Sequence, residues 1–260
     1  MKRSTSRRRL DGHLARLLAI GFWLIVWQLA SMYIAQEILL VSPVSTCKAF
    51  LRLCGTAKFY QAVLGSFGRI LAGFSLGTLL GVALAALSYA FEGVRILLAP
   101  MMTIIKATPV ASFVILALIW ISSKNLSVLM SFLMVLPITY ANVLQGLNGA
   151  DPKLLEMAQV FRMRPFDRVR AILAPAAFPY LLAAARLSLG MCWKAGIAAE
   201  VIGQPKNSIG SALQQAKVYF NTPDLFAWTL TVILLSLGFE KLVLLLADRL
   251  QSGEGRTEDA

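Results

Sequence analysis

The sequence predicts an all-α polytopic membrane protein with six transmembrane helices and one helical loop in the cytoplasm. Of 260 residues, 58% are hydrophobic and 15% charged, with a mean hydropathy of +0.70. A soluble domain of this size needs far more charge to cover its surface. The apolar residues also gather into long runs, at 17–34, 70–90, 97–121, 126–147, 171–201 and 225–247, rather than at amphipathic spacing. Each run approaches or exceeds the roughly 20 residues a helix needs to cross a bilayer, where only helices satisfy every backbone polar group. The third observation is where the charge sits. Of the 25 Lys and Arg, three (Lys106, Arg186, Lys194) fall inside runs, fifteen lie on the side of the N-terminus and seven on the other. The positive-inside rule then puts both termini in the cytoplasm. The net charge of +12 is orientation, not a nucleic-acid patch.

In order along the chain, residues 1–16 form a basic cytoplasmic tail that holds Arg7, Arg8, Arg9 and the single histidine, His13. Residues 17–250 form one transmembrane domain. A cleavable signal peptide competes for the first run. The run is too long for a typical signal core, and Ser31-Met32-Tyr33 lacks a small-x-small cleavage pattern, so a retained first helix is expected. An external stretch at 37–67 follows, with a helix start at Pro43 and Ser45 and a short amphipathic segment carrying Val44, Phe50, Leu51 and Leu53. Cys47, Cys54 and Cys192 have no metal-ligand spacing, and their odd number leaves at most a Cys47–Cys54 bridge open. No metal, cofactor or catalytic constellation is expected.

The second run carries Gly73-x3-Gly77-x3-Gly81, glycines on one face that let another helix approach closely. The third contains Lys106 and Pro109. The proline removes a backbone hydrogen bond and bends the helix; Lys106, several residues from the cytoplasmic end, is expected to snorkel to headgroups. The polar turn Ser122-Ser123-Lys124-Asn125 leads to the fourth run. In the fifth, Arg186 lies deep while Lys194 and Glu200 lie near the outer end; these three are the candidate pathway residues. A second external loop, 203–224, precedes the last run, and residues 251–260 form a polar cytoplasmic tail.

The loop at 148–171 is the most informative part. Asp151-Pro152 is a helix start, with Asp as N-cap and Pro in the first turn. Leu154, Leu155, Ala158 and Phe161 then make an apolar stripe, and a second short helix begins near Phe166. Two such helices either lie on the bilayer as basic interfacial segments or dock on a cytoplasmic partner. The residues alone leave both open.

Glu156-Met157-Ala158, with Ile172 and Pro175 beyond, resembles the EAA signature E-A-A-x3-G-x9-I-x-L-P of ABC importer permeases. Met157 replaces an Ala, Arg162 the Gly and Ala174 the Leu. The flanks resemble the nitrate/sulfonate/taurine group of these permeases: Val41-Ser42-Pro43, Arg69, the three glycines, Pro100, Lys106-x2-Pro109, Trp120, Ser123-Lys124, Pro137, Pro175-x3-Pro179, Arg186, Trp193 and Ala199-Glu200. Phe113 and Ser122 depart from that group, which usually has Pro and Gly there. The resemblance runs over 40–210 and implies an inner-membrane subunit, multi-pass, paired with a second copy (a homodimer) or with a close relative, and embedded in membrane lipids. It further implies an external solute-binding protein and a separate ATP-binding subunit docked on a coupling helix. The coupling residues would be Leu155, Glu156, Ala158, Phe161, Arg162, Arg164 and Pro165. With Arg162 at the Gly position, Pro165 is expected to carry the bend of the loop three residues on.

The division of labour agrees with the residues. The chain has no Gly-Lys dipeptide and hence no GxxxxGK phosphate loop, so ATP hydrolysis is expected in a partner chain and the protein itself is not an enzyme. The rival reading, a self-sufficient secondary transporter or channel, calls for intramembrane acids as ion sites. The runs offer Glu200 and Glu240 for that role. The solute, small and polar or anionic, is not written in a permease whose binding protein selects it.

Overall fold

The computed structural model describes residues 5–254. Lys2, Arg3 and Arg256 of the charge count, and residues 255–260 of the polar tail, lie outside the described residues. Those that are described form helices and turns without a strand, divided into two compact units, Met1–Phe59 with Ala212–Thr231 and Tyr60–Ser211 with Val232–Ala260.

The first unit holds α1 (Thr5–Ile34), α2 (Pro43–Cys54) and the adjoining ends of longer helices. Ala35, at φ 53°, turns the chain out of α1. The returning segment is tied back to α1 by Trp27 Nε1–H donating to the Val41 carbonyl (2.9 Å) and Ser31 Oγ to the Leu40 carbonyl (3.0 Å). Ser42 caps α2, its Oγ accepting from the Ser45 N–H at 3.1 Å with Pro43 in the first turn. Both cysteines of α2 are free thiols. Seven positions along one helix separate them by about 10 Å of rise, beyond the span of a disulfide. Asp224 pairs with Arg52, and Trp27 stacks on Phe226 at 5.9 Å.

The second unit is built on α3 (Ala57–Ala90), α4 (Glu92–Ala107), α5 (Val110–Ala117), α6 (Ser123–Asn148), the loop helices α7 (Pro152–Val160) and α8 (Pro165–Arg168), and α9 (Ala174–Gly203). One π-turn, Val169–Leu173, joins α8 to α9. The 203–224 loop holds α10 (Ile209–Val218), and α11 (Thr222–Glu254) closes the order. Helix α3 begins well before its apolar run, so residues 57–67 of the expected external stretch belong to its first turns.

Glycines decide how α3 meets α6. A methyl at Gly73 would fall 2.6 Å from Ser131 Cβ, one at Gly77 2.8 Å from Val135 Cβ, and one at Gly81 2.8 Å from Thr139 Cβ. Only a residue without Cβ permits that approach. The partners ascend together, so α3 and α6 run parallel. Helix α9 runs against them: Gly146 packs on Ala177 and Tyr180, Ser131 Oγ donates to the Cys192 carbonyl at 3.1 Å, and Gly203 packs on Leu126. Helix α6 is thereby enclosed. At one end Tyr140, Val143 and Leu147 pack with Ala85, Met102 and Ile172; at the other Leu126 and Met130 pack with Val114, Ala117, Ala195 and Ala199.

Among the described residues, four helices are long and apolar enough to cross a membrane: α3, α6, the α8–α9 rod and α11. The third run is broken. Helices α4 and α5 meet at 101° around Thr108 and Pro109, where proline has no N–H to continue the ladder. Met102 packs at the level of Leu136 and Tyr140, and Val114 at that of Met130. The broken pair therefore carries the chain from the Ala90 end of α3 to the Ser123 end of α6, as two parallel helices require. The apolar part of α1, Leu18–Ile34, is shorter than these.

Candidate functional site

Three groups of residues stand out: the loop between α6 and α9, an uncovered face of α9, and a buried ion pair at the end of α9 away from that loop.

In the loop, the Asp151 side chain caps α7 by accepting the Lys153 N–H at 2.9 Å. At the other end Met163 N–H donates to the Ala158 carbonyl (2.9 Å) and Arg162 N–H to Gln159 (3.1 Å). That is a Schellman ending, and it demands a left-handed residue at Arg162, whose φ is 50°. The bend thus stays at the position where the EAA signature has Gly; it does not move on to Pro165. Pro165 instead opens α8, with Arg164 before it. The expected apolar stripe also divides. Ala158 is 3% exposed and Leu155 half-buried, both packed into the chain's own core beside Ile172 and Leu173. A side chain buried in its own subunit is not available to a partner's groove, so Leu155 and Ala158 are core residues of this fold. Phe161 is 74% exposed, and with it Leu154, Met157, Val160 and Phe166 form the outward apolar surface. Glu156, Arg162, Arg164 and Pro165 are exposed around it. Met157 and Val160 escape a search for a single stripe because α7 is apolar over more than half its circumference, and Phe166 because it stands on α8, past the turn. Periodicity alone does not say which arc faces in.

On α9, Ala183, Arg186, Leu187, Met191 and Lys194 are all exposed, and a methyl at Gly190 would meet nothing within 4 Å. Spaced three and four apart, they form one continuous face. Lys106 is exposed in the last turn of α4 beside the break, with its neighbours Ile104 and Ile105 lining the same small cavity as Leu133 and Met134. This places Lys106 halfway along α6 rather than several residues from one end of a span, because the break at Pro109 comes after a full-length α4.

Glu200 belongs elsewhere. It is fully buried, with Oε1 accepting from Arg69 Nε at 2.9 Å and Oε2 from Ser66 Oγ at 2.5 Å and from the Gly210 N–H at 3.2 Å. Arg69 Nη2 also donates to the Asn207 carbonyl at 3.0 Å, and Ser66 Oγ accepts the Ile209 N–H at 2.9 Å. A carboxylate out of water needs this many donors. The cluster pins the 204–211 segment onto α3. Its signal in sequence was slight: Ser66 and Arg69 lie 134 and 131 positions from Glu200.

Comparisons with known proteins bear on the family and the fold. An aliphatic sulfonates transport permease protein of Bacillus subtilis, SsuC, is 26% identical over 222 residues, 85% of this chain and 80% of that one. The bicarbonate transport system permease protein CmpB of Synechococcus elongatus is 26% identical over 209 residues, 75% of this chain and 74% of its own. A crystal structure of an amino acid ABC transporter with histidines shares the fold at a TM-score of 0.56 and 18% identity, covering 74% of this chain and 93% of that one. The sequence profile of the binding-protein-dependent transport system inner membrane component family matches residues 77–253, and the chain belongs to that family.

Proposed function

We propose that two copies of this permease line the pathway of an ABC importer with the exposed faces of their α9 helices, and that the solute is anionic. The observation that carries it is the face holding Arg186 and Lys194. A cation at the centre of a membrane helix costs on the order of 3 kcal/mol even by the gentler insertion scales. Two on one face, eight residues apart, call for water or a partner rather than lipid. Ala183 and Gly190 keep that face low enough for another helix to approach. Sulfonate and bicarbonate, named for the relatives, are anions that such a face attracts.

In this reading six spans leave both termini in the cytoplasm, with the first formed by α1 and the third by the broken α4–α5 pair. The apolar surface of α7 and α8 docks on a separate ATP-binding subunit, which supplies the hydrolysis. An external binding protein delivers the solute at the opposite end. The rival secondary-transporter reading needs an acid free to act in the span; Glu200 is already committed to Arg69, which leaves that reading only Glu240 in the last helix.

The test is oxidative cross-linking of Met191→Cys in membranes, in a chain whose Cys47, Cys54 and Cys192 are replaced by Ala. A covalent dimer is expected. Arg186→Gln should lower uptake at least tenfold while the ATPase still co-purifies. Absence of a dimer together with undiminished uptake would refute the proposal.

A further inference from the structure

A second charged site lies at the other end of the fold from the coupling loop. Arg69, Lys124 and Lys206 line one open cavity of about 880 Å³, with Gln61, Ser123 and Gln204 among its polar walls and no carboxylate among its described lining residues. These residues come from the start of α3, the start of α6 and the loop after α9. The buried Glu200 fixes their geometry. It neutralises Arg69, whose Nε and Nη2 are both bonded, and its grip on Gly210 holds the 204–211 segment in place. The exposed Lys124 and Lys206 are then a surplus of two positive charges in a walled space, where low-dielectric sides focus the field toward an anion. A flat basic patch suits a protein surface; a concave site with amide and hydroxyl walls suits a small molecule.

We propose that this cavity is an external vestibule that holds a small oxyanion, a sulfonate, carboxylate or bicarbonate-like group, before it enters the pathway. The vestibule role rests on the importer reading and its orientation; the anion site itself does not.

The full chain in phosphatidylcholine nanodiscs would be titrated with sulfate against chloride at constant ionic strength, reading the thermal midpoint. A saturable rise is expected, with apparent affinity falling at least tenfold in K124Q/K206Q, whose exposed side chains hold nothing in the fold together. Equal responses of wild type and variant would overturn the site. So would a response abolished by phosphatidylglycerol, which would assign the cavity to lipid headgroups. Separately, Lys206→Cys should react with an impermeant reagent in whole cells. Reaction only after permeabilisation, with the sulfate response intact, would overturn the orientation and the vestibule role while leaving an anion site.

Discussion

Arg162 holds a backbone conformation that its side chain does nothing to favour. A left-handed residue other than Gly costs about 1–2 kcal/mol, and Gly returns about 0.5–1 kcal/mol of that through its greater freedom when unfolded. Arg162→Gly should therefore tighten the Schellman turn by up to about 1 kcal/mol, a factor of about five in its opening equilibrium. Hydrogen exchange at the Met163 amide, bonded to the Ala158 carbonyl at 2.9 Å, reads this directly and should slow. Arg162→Val, β-branched at the same angle, should speed it. Slower exchange in the valine variant than in the glycine variant would show that the turn is not limited by Arg162. Nothing in the residue type announces this conformation. Arginine is common on exposed loops, and only the alignment to a glycine in the EAA signature hinted at a special angle.

Helix α7 presents two apolar surfaces, one packed into the core and one exposed, so aspartates on the two should fail differently. Phe161→Asp changes an exposed position. Protein level should remain near normal while recovery of the ATPase on co-purification falls severalfold. Ala158→Asp drives an unpaired carboxylate into the packing with Ile172 and Leu173, a cost on the order of several kcal/mol, and should lower the amount of folded protein itself. Full recovery of the ATPase with Phe161→Asp would remove the outward surface as a docking site. The helix was legible in sequence from Asp151-Pro152, because a cap is a local signal. Which arc faces inward was not, since that depends on α6 and α9 closing over it. The break between α4 and α5 is similar: Pro109 announced a bend, but its 101° follows from what packs on either side.

At the scale of the whole molecule, topology ties these elements to the two faces of the membrane. A cysteine at Asn207 should react with an impermeant reagent in whole cells, and one at Gln159 only after permeabilisation; the reverse pattern would invert the protein. Hydropathy made four of the six runs legible as helices long and apolar enough to cross a membrane, since bilayer thickness acts on each run independently; the third run is broken and the apolar part of the first is shorter. The Glu200–Arg69–Ser66 cluster was not, because its members come from distant helices and each alone reads as an ordinary polar residue near a span end. The glycine seam between α3 and α6 has a consequence in time. From Gly73 to Ser131 is 58 positions, and at about 5–20 residues per second the ribosome needs roughly 3–12 s to deliver the second helix after the first. For that interval the notched face of α3 meets only lipid, the insertion machinery or a chaperone. Slowing translation between these two helices should therefore expose the nascent chain to proteolysis more than an equal pause after α6.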